Sequence, residues 1–217
     1  MRGSLTRTTL TIAALAALTA CSAAGQDQQA PGINQTAATT GAADDREDDD
    51  DREDDGLEVS LFDATGAQVG TVWLDDEDDA LEIEVAVGGL EPGFHGFHVH
   101  AVGVCEPASP DPSDPAKIGD FLSAGGHLGA DDGDHGEHAG DLPPLLVDAS
   151  GSAELTVTTD ALTLADLTDD DGSAVMVHAG RDNLAHVPER YAPDGPDEAT
   201  RKTGDAGDRV ACGVVGG

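Results

Sequence analysis

From residue 57 onward the chain breaks into short apolar or alternating segments separated by clusters of turn-forming residues. Leu81-Glu82-Ile83-Glu84-Val85 alternates cleanly. In an extended strand that pattern puts Leu81, Ile83 and Val85 on a core face and both glutamates in water. The segments Leu57 to Phe62, Gln68 to Leu74, Leu81 to Val87, Gly93 to His100, Ala153 to Thr158, Ala174 to His178 and Val210 to Val215 are rich in Val, Ile, Leu and Thr and predict strands. Asp63-Ala64-Thr65-Gly66 and Asp148-Ala149-Ser150-Gly151 read as turns, and helical periodicity is confined to a turn near Leu164 to Leu167. An all-β sandwich or barrel of antiparallel strands with one wet face follows. Two connections, Ala101 to about Pro144 and Ala179 to about Asp208, far exceed hairpin length. Loops of that size in a compact domain carry function or are stapled down.

The chain before this domain has a different character. Arg2 and Arg7 precede an apolar run, Leu10 to Ala20, too short for a bilayer span of ~20 residues but suited to an export signal. The run ends Leu18-Thr19-Ala20-Cys21, which resembles a bacterial lipobox and makes Cys21 the expected lipidated N-terminus. Residues 1–20 are read as signal peptide and 21–55 as linker. The linker's polar residues give way to an acidic run, Asp44 to Asp55, with no apolar face to offset the entropy of ordering. It is expected to be disordered and extended, spacing residues 56–217 from a membrane reached through the lipid on Cys21.

Charge narrows the partners. The 217 residues carry 44 acids against 10 Lys and Arg, a formal net charge of −34. Nucleic acid held by its phosphates is excluded by repulsion, and anionic lipid surfaces are disfavoured. Four Phe, one Trp and one Tyr cannot fill an aromatic core, so small and β-branched residues must pack it.

All eight histidines fall between His95 and His186. His98 and His100, two apart on a predicted strand, project from one face, a spacing suited to two ligands of one metal. His127, His135, His138 and Asp141 form a compact loop set, and His178 ends another strand. Three imidazoles and a carboxylate suit tetrahedral zinc, whereas an all-imidazole set suits copper(II).

Several motifs then fall in register. Gly93-Phe94-His95-Gly96-Phe97-His98-Val99-His100, Ser123-Ala124-Gly125-Gly126-His127, His138-Ala139-Gly140-Asp141-Leu142-Pro143, Val177-His178-Ala179-Gly180 and Thr203-Gly204-Asp205-Ala206-Gly207-Asp208-Arg209-Val210-Ala211-Cys212-Gly213-Val214 resemble the copper,zinc superoxide dismutases in order and spacing over Leu57 to Val215. The resemblance implies an immunoglobulin-like Greek-key barrel or sandwich of about eight antiparallel strands with two long functional loops. It implies copper on His98, His100, His127 and His178, and zinc on His127, His135, His138 and Asp141, with the His127 ring shared between the metals and delivering a proton. Asp182 is implied to hold His98 and His135 from behind, and Arg209 to hold the superoxide anion. Cys105 and Cys212 are implied to form a disulfide, which persists in an exported protein.

Residues 57–217 hold 33 acids and six Lys and Arg, four of them in the last 28 residues. Only a local positive funnel can guide an anion inward, and Arg209 with Lys202 are the candidates, while Arg190 and Arg201 are assigned to the wet face of the loop. His95 is expected to be a structural hydrogen-bonding residue and His186 solvated, with Trp73, Met176 and Phe97 packing. Between His135 and His138 only Gly136 and Glu137 intervene, a shorter subloop than many relatives have, and His127 is followed by Leu128-Gly129-Ala130 in place of the commoner Phe-Asn-Pro; all four zinc donors are kept. The expected activity is dismutation of superoxide outside the cytoplasm. The alternative is a non-catalytic surface lipoprotein that binds copper and zinc, which needs no Arg209. Oligomeric state is left open, a homodimer included.

Overall fold

A computed structural model describes residues 56–77, 80–131 and 133–216. The signal peptide, Cys21 and the acidic linker lie outside the described residues. Within them eleven strands form: β1 (Leu57–Phe62), β2 (Gln68–Glu77), β3 (Ala80–Val87), β4 (Gly93–His95), β5 (Phe97–His100), β6 (Ser109–Pro110), β7 (Ile118–Gly119), β8 (Leu145–Val147), β9 (Ala153–Thr159), β10 (Ser173–His178) and β11 (Arg209–Val215). Two short helices accompany them, α1 (Leu164–Leu167) and α2 (Glu198–Thr203), with a 3-10 turn at Leu122–Ala124.

Seven strands make one curled antiparallel sheet in the order β5-β10-β11-β1-β2-β3-β9, while β4 pairs with β8 and β6 with β7. Each of the seven predicted strands is present, but the segment Gly93 to His100 is divided at Gly96. Gly96 donates its N–H to Gly180 O at 2.9 Å and accepts from His178 N at 2.8 Å. A Cβ at this position would sit 2.6 Å from Ala206 Cβ, so only glycine lets the second long loop close over the break. The chain can then leave β5's partner and pair β4 with β8 in a separate two-stranded sheet.

Register sorts the side chains into two populations. Phe97 faces Val177 and Val99 faces Val175, and these join Val59, Leu61, Val72, Leu74, Leu81, Ile83 and Val85 in a buried aliphatic interior. The alternate residues, His98 opposite Met176 and Met176 opposite Cys212, project to the outer face of the same strands. There a second, smaller cluster of Phe121, Ala124, Ala174, Met176 and Cys212 is buried beneath the first long loop. The first loop therefore has apolar anchoring of its own, separate from the barrel interior.

One packing expectation fails. Trp73 is 40% exposed on the outer face of β2, between Glu58 and Glu84 on the neighbouring strands. It alternates with Val72 and Leu74, whose inward positions leave Trp73 no place in the core. Phe97 and Met176 are fully buried, as expected. Helix α2 was not anticipated: six residues with only Thr200 buried carry no apolar stripe. Its start is marked by Asp197, whose side chain accepts from Thr200 N, and its end by Gly204 in the left-handed region at φ 57°.

Candidate metal centre

The site lies on the outer face of β5 and β10, under the two long loops. His98 and His100 share that face because they are two apart on β5. His178 reaches it from the end of β10, where a β-bulge after Val177 places His178 opposite Arg209. A bulge re-aims the side chains beside it, and here it brings an imidazole and a guanidinium to one mouth. The first long loop is pinned to β5 by single bridges, His100 with His127 and His98 with Asp141. Gly140 makes that approach possible, since a Cβ there would collide with the Val99 carbonyl.

Six rings, those of His98, His100, His127, His135, His138 and His178, are buried together. Ligand atoms of His98, His100, His127 and His178 all lie within 4.8 Å of one another. So do those of His98, His127, His135 and Asp141, and His138 Nδ1 joins this second set at 3.1 Å from Asp141 Oδ2. His127 belongs to both, its Nδ1 2.8 Å from Asp141 Oδ1 and its ring centroid 4.9 Å from that of His100.

The hydrogen bonds behind the rings fix which nitrogen faces inward. His98 Nε2 donates to Asp182 Oδ2 at 2.6 Å, His100 Nδ1 to Gly125 O at 2.9 Å and His178 Nδ1 to Gly207 O at 3.0 Å. His135 Nε2 donates to Asp182 Oδ1 at 2.8 Å and His138 Nε2 to Gly133 O at 3.1 Å. Each such bond places a proton on the outer nitrogen and turns the other toward the pocket. Nδ1 of His98, His135 and His138 are buried without a hydrogen bond of good geometry, the last two facing Asp141 oxygens at 3.0 and 3.1 Å. Three such buried nitrogens would be costly in a metal-free protein, and they fit cations seated among them. Nitrogen donors alone in one set and three nitrogens with a carboxylate in the other match copper and zinc respectively.

Electrostatics favour lone pairs in the first set. Burial lowers His127 to about 4 despite its bond to Asp141. Burial, then His98, lowers His178 to about 3, and burial with Arg209 nearby takes His100 well below its ordinary value. For His135 burial opposes a proton, but the bonds to Asp141 and Asp182 outweigh it and raise the ring to about 9. Asp141 and Asp182 stay ionised, because bonds from these histidines outweigh the cost of their burial.

A cavity of about 810 Å³ opens over the rings, lined among others by His100, His127, His178, Lys117, Lys202 and Arg209. Arg209 is held by carbonyls of the first loop, Nη1 donating to Phe121 O and Nη2 to Gly125 O, each at 2.5 Å. Burial lowers its guanidinium only to about 10, so it is cationic at neutral pH. Lys202 stands at the mouth, largely exposed and 2.8 Å from Glu198. Lys117 lines the same mouth and was missed by sequence reasoning; it sits deep in the first loop with no histidine motif around it, and only its sign of charge in an acidic chain pointed to it. Arg190 is exposed over Tyr191, whereas Arg201 is half-buried, with its Nε 3.6 Å from Asp134. His95 is buried between the carbonyls of His178 and Glu91, and His186 is exposed.

Cys105 and Cys212 form a disulfide with Cα atoms 5.8 Å apart, tying the first loop to β11. Residues 68–215 match the copper/zinc superoxide dismutase (SODC) family.

The chain belongs to the copper/zinc superoxide dismutase family.

It is 49% identical over 160 residues to the Cu-Zn superoxide dismutase of Mycolicibacterium paratuberculosis, covering 70% of each chain. Over 215 residues it is 41% identical to that of Mycobacterium tuberculosis, covering 94% of this chain and 89% of the relative. Among solved structures, the Cu/Zn superoxide dismutase of Brucella abortus superposes with a TM-score of 0.58 at 32% identity, covering 74% of this chain and 99% of that one. A superoxide dismutase-like protein of Bacillus subtilis superposes with a TM-score of 0.55 at 29% identity, covering 73% and 97%. Members of the copper/zinc superoxide dismutase family are oxidoreductases, and this chain keeps an outer-face histidine pocket with donors for both metals.

Proposed function

We propose that residues 56–217 dismute superoxide, turning two superoxide ions and two protons into dioxygen and hydrogen peroxide, with copper on His98, His100, His127 and His178 and zinc on His127, His135, His138 and Asp141. The carrying observation is the set of outward hydrogen bonds that turn the inner ring nitrogens into the pocket, where three of them are buried with no hydrogen bond of good geometry and two of those face the Asp141 carboxylate. When bound, copper supplies a one-electron couple and zinc a fixed positive charge that restrains the shared ring.

The chain's own groups supply the rest. Arg209, braced by two carbonyls and opposite His178, offers its remaining N–H donors to an anion at the mouth. Lys202 and Lys117 line the same mouth, each beside an acid, Glu198 at 2.8 Å and Asp111 at 3.8 Å, so Arg209 is the cation left to attract a small anion there. His127, anchored at Nδ1 by Asp141, holds and passes a proton at Nε2 toward the leaving peroxide. Asp182 fixes the orientation of His98 and His135 from behind, and the disulfide keeps the loop that braces Arg209 against the barrel.

Residues 1–20 direct export, Cys21 carries the lipid, and residues 21–55 space the catalytic domain from the membrane, so the enzyme works outside the cytoplasm. The Cys105–Cys212 bridge supports this placement, because such bonds persist in oxidising compartments. A deciding experiment measures superoxide decay and metal content for the wild type and for His178→Ala. The variant is expected to be inactive yet folded and zinc-loaded; global unfolding of it would overturn the assignment. Equal, negligible rates for the wild type and Arg209→Ala would instead support metal storage.

A further inference from the structure

Beside the paired metal pocket, at the edge of the cavity over the rings, lies a polar clasp that the proposed reaction does not use. Asp205 follows helix α2 in the left-handed region at φ 53°, and its Oδ2 accepts from both Asn183 Nδ2 at 2.6 Å and Thr200 Oγ1 at 2.9 Å. The same oxygen therefore joins the second long loop to α2. Asn183 is held again through its backbone, N to Gly204 O at 2.9 Å, and its Oδ1 accepts from Ala185 N at 2.8 Å. Leu184 and Ala185 follow with φ of 52° and 51°, a conformation non-glycine residues adopt only when their surroundings compel it.

The forced turn has a target. Leu184 N donates to Asp182 Oδ1 at 2.7 Å, so the turn aims the carboxylate that His98 and His135 both address. Helix α2 reaches the other side of the same group. Arg201 O accepts from His135 N at 2.6 Å, and Gly204 is so close to Asp182 Oδ1 and His135 Nε2 that a Cβ there would collide with both. The end of α2 thus touches the backbone of His135, the His135 ring and the Asp182 carboxylate, with Asp205 tying the assembly shut.

We propose that Asp205 is a positioning residue for the metal pair: by clasping Asn183 to α2 it seats the Asp182 carboxylate across His98 and His135. This rests on the metal-site reading above. A carboxylate behind two ligands is worth on the order of 10- to 100-fold in metal affinity, so a group that aims it should move affinity by a smaller factor, about three- to tenfold. Asp205 is exposed and outside the barrel, so its loss spares the fold.

The test uses the metal-free full-length protein titrated with zinc alone against a competing chelator, beside its melting temperature. Asp205→Ala is expected to weaken zinc retention by about three- to tenfold, and Asn183→Ala by a similar factor. Asp205→Asn is expected to stay near the wild type, because one oxygen carries both bonds and an amide oxygen can replace it. Unchanged zinc retention in Asp205→Ala overturns the proposal, as does a lowered melting temperature with affinity unmoved, or an Asp205→Asn variant as weak as the alanine one. A wild type that takes up no zinc at all refutes the metal-site reading itself, and the positioning role falls with it.

Discussion

Arg209 and His100 meet at one atom: both donate to the carbonyl oxygen of Gly125, Arg209 Nη2 at 2.5 Å and His100 Nδ1 at 2.9 Å. The peptide that sets the tautomer of a proposed copper ligand also braces the proposed substrate cation. Gly125 closes the 3-10 turn beneath the first loop, and Ala124 beside it is fully buried in the small outer cluster. Substrate binding and ring orientation are therefore supported by the same few residues.

Replacing Arg209 with Ala should lower the rate of superoxide decay on the order of 10- to 100-fold, the scale of losing a charged donor aimed at a reacting anion. Lysine should restore part of it, having the charge without the planar fork that spans two carbonyls and still faces the mouth. Pulse generation of superoxide with optical detection, at matched copper content, reads both variants. Wild-type rates in Arg209→Ala would remove this residue from the mechanism.

Changing Cys105 and Cys212 to serine should destabilise the domain by about 2–5 kcal/mol, given that the bridge closes a large loop. The sequence separation is 107 residues. Amide exchange should quicken in Phe121 to Gly125 while the interior strands β2 and β3 keep their protection. Uniform quickening throughout the domain would show instead that the bridge supports the barrel itself.

The metal-free domain should be most stable near pH 6.5 as far as its pocket is concerned. His127 and His178 take up protons at about 4 and about 3 when folded, against 6.5 for an ordinary ring. The unfolded chain therefore binds more protons in between, and stability present above 6.5 is lost as pH falls through about 4. His135 acts in the opposite sense: raised to about 9, its contribution is full below 6.5 and lost as pH climbs through about 9. Thermal melts of the metal-free protein from pH 4 to pH 10 check the shape, and a melting temperature that rises steadily on acidification from 6.5 to 4 would refute it.

Ile83→Ala should cost about 2–5 kcal/mol by opening a cavity in a fully buried site. Trp73→Ser, on the outer face of the adjoining strand, should cost less than about 1 kcal/mol. Denaturant unfolding of the two variants tests the division between interior and exterior. A larger loss at Trp73 would reverse it.

The seven main strands were legible because half-buried strands write their burial into alternate residues, as Leu81 to Val85 does. Trp73 broke the expectation since its size outweighed its position between Val72 and Leu74. The break at Gly96 was invisible: it is caused by Ala206, more than a hundred residues later in the chain. Helix α2 left no periodic trace because a single buried threonine fixes it. Of the site, the histidine spacings announced which residues to consider, but the convergence of rings from β5, β10 and two loops comes from close backbone approaches at Gly96 and Gly140. Lys117 and the Asp205 clasp had no such marker, since a lone lysine or aspartate in an acidic chain gains meaning only from what stands across from it.

The two separate apolar clusters carry a further consequence. The ligand nitrogens hang on the outer wall of the barrel, on the face away from its aliphatic interior, beneath a first loop with an apolar anchorage of its own. A newly made copy can therefore complete its scaffold while empty and wait for scarce ions to arrive. Loading becomes a late, reversible event at the periphery, and starvation for either metal silences the protein without destroying it.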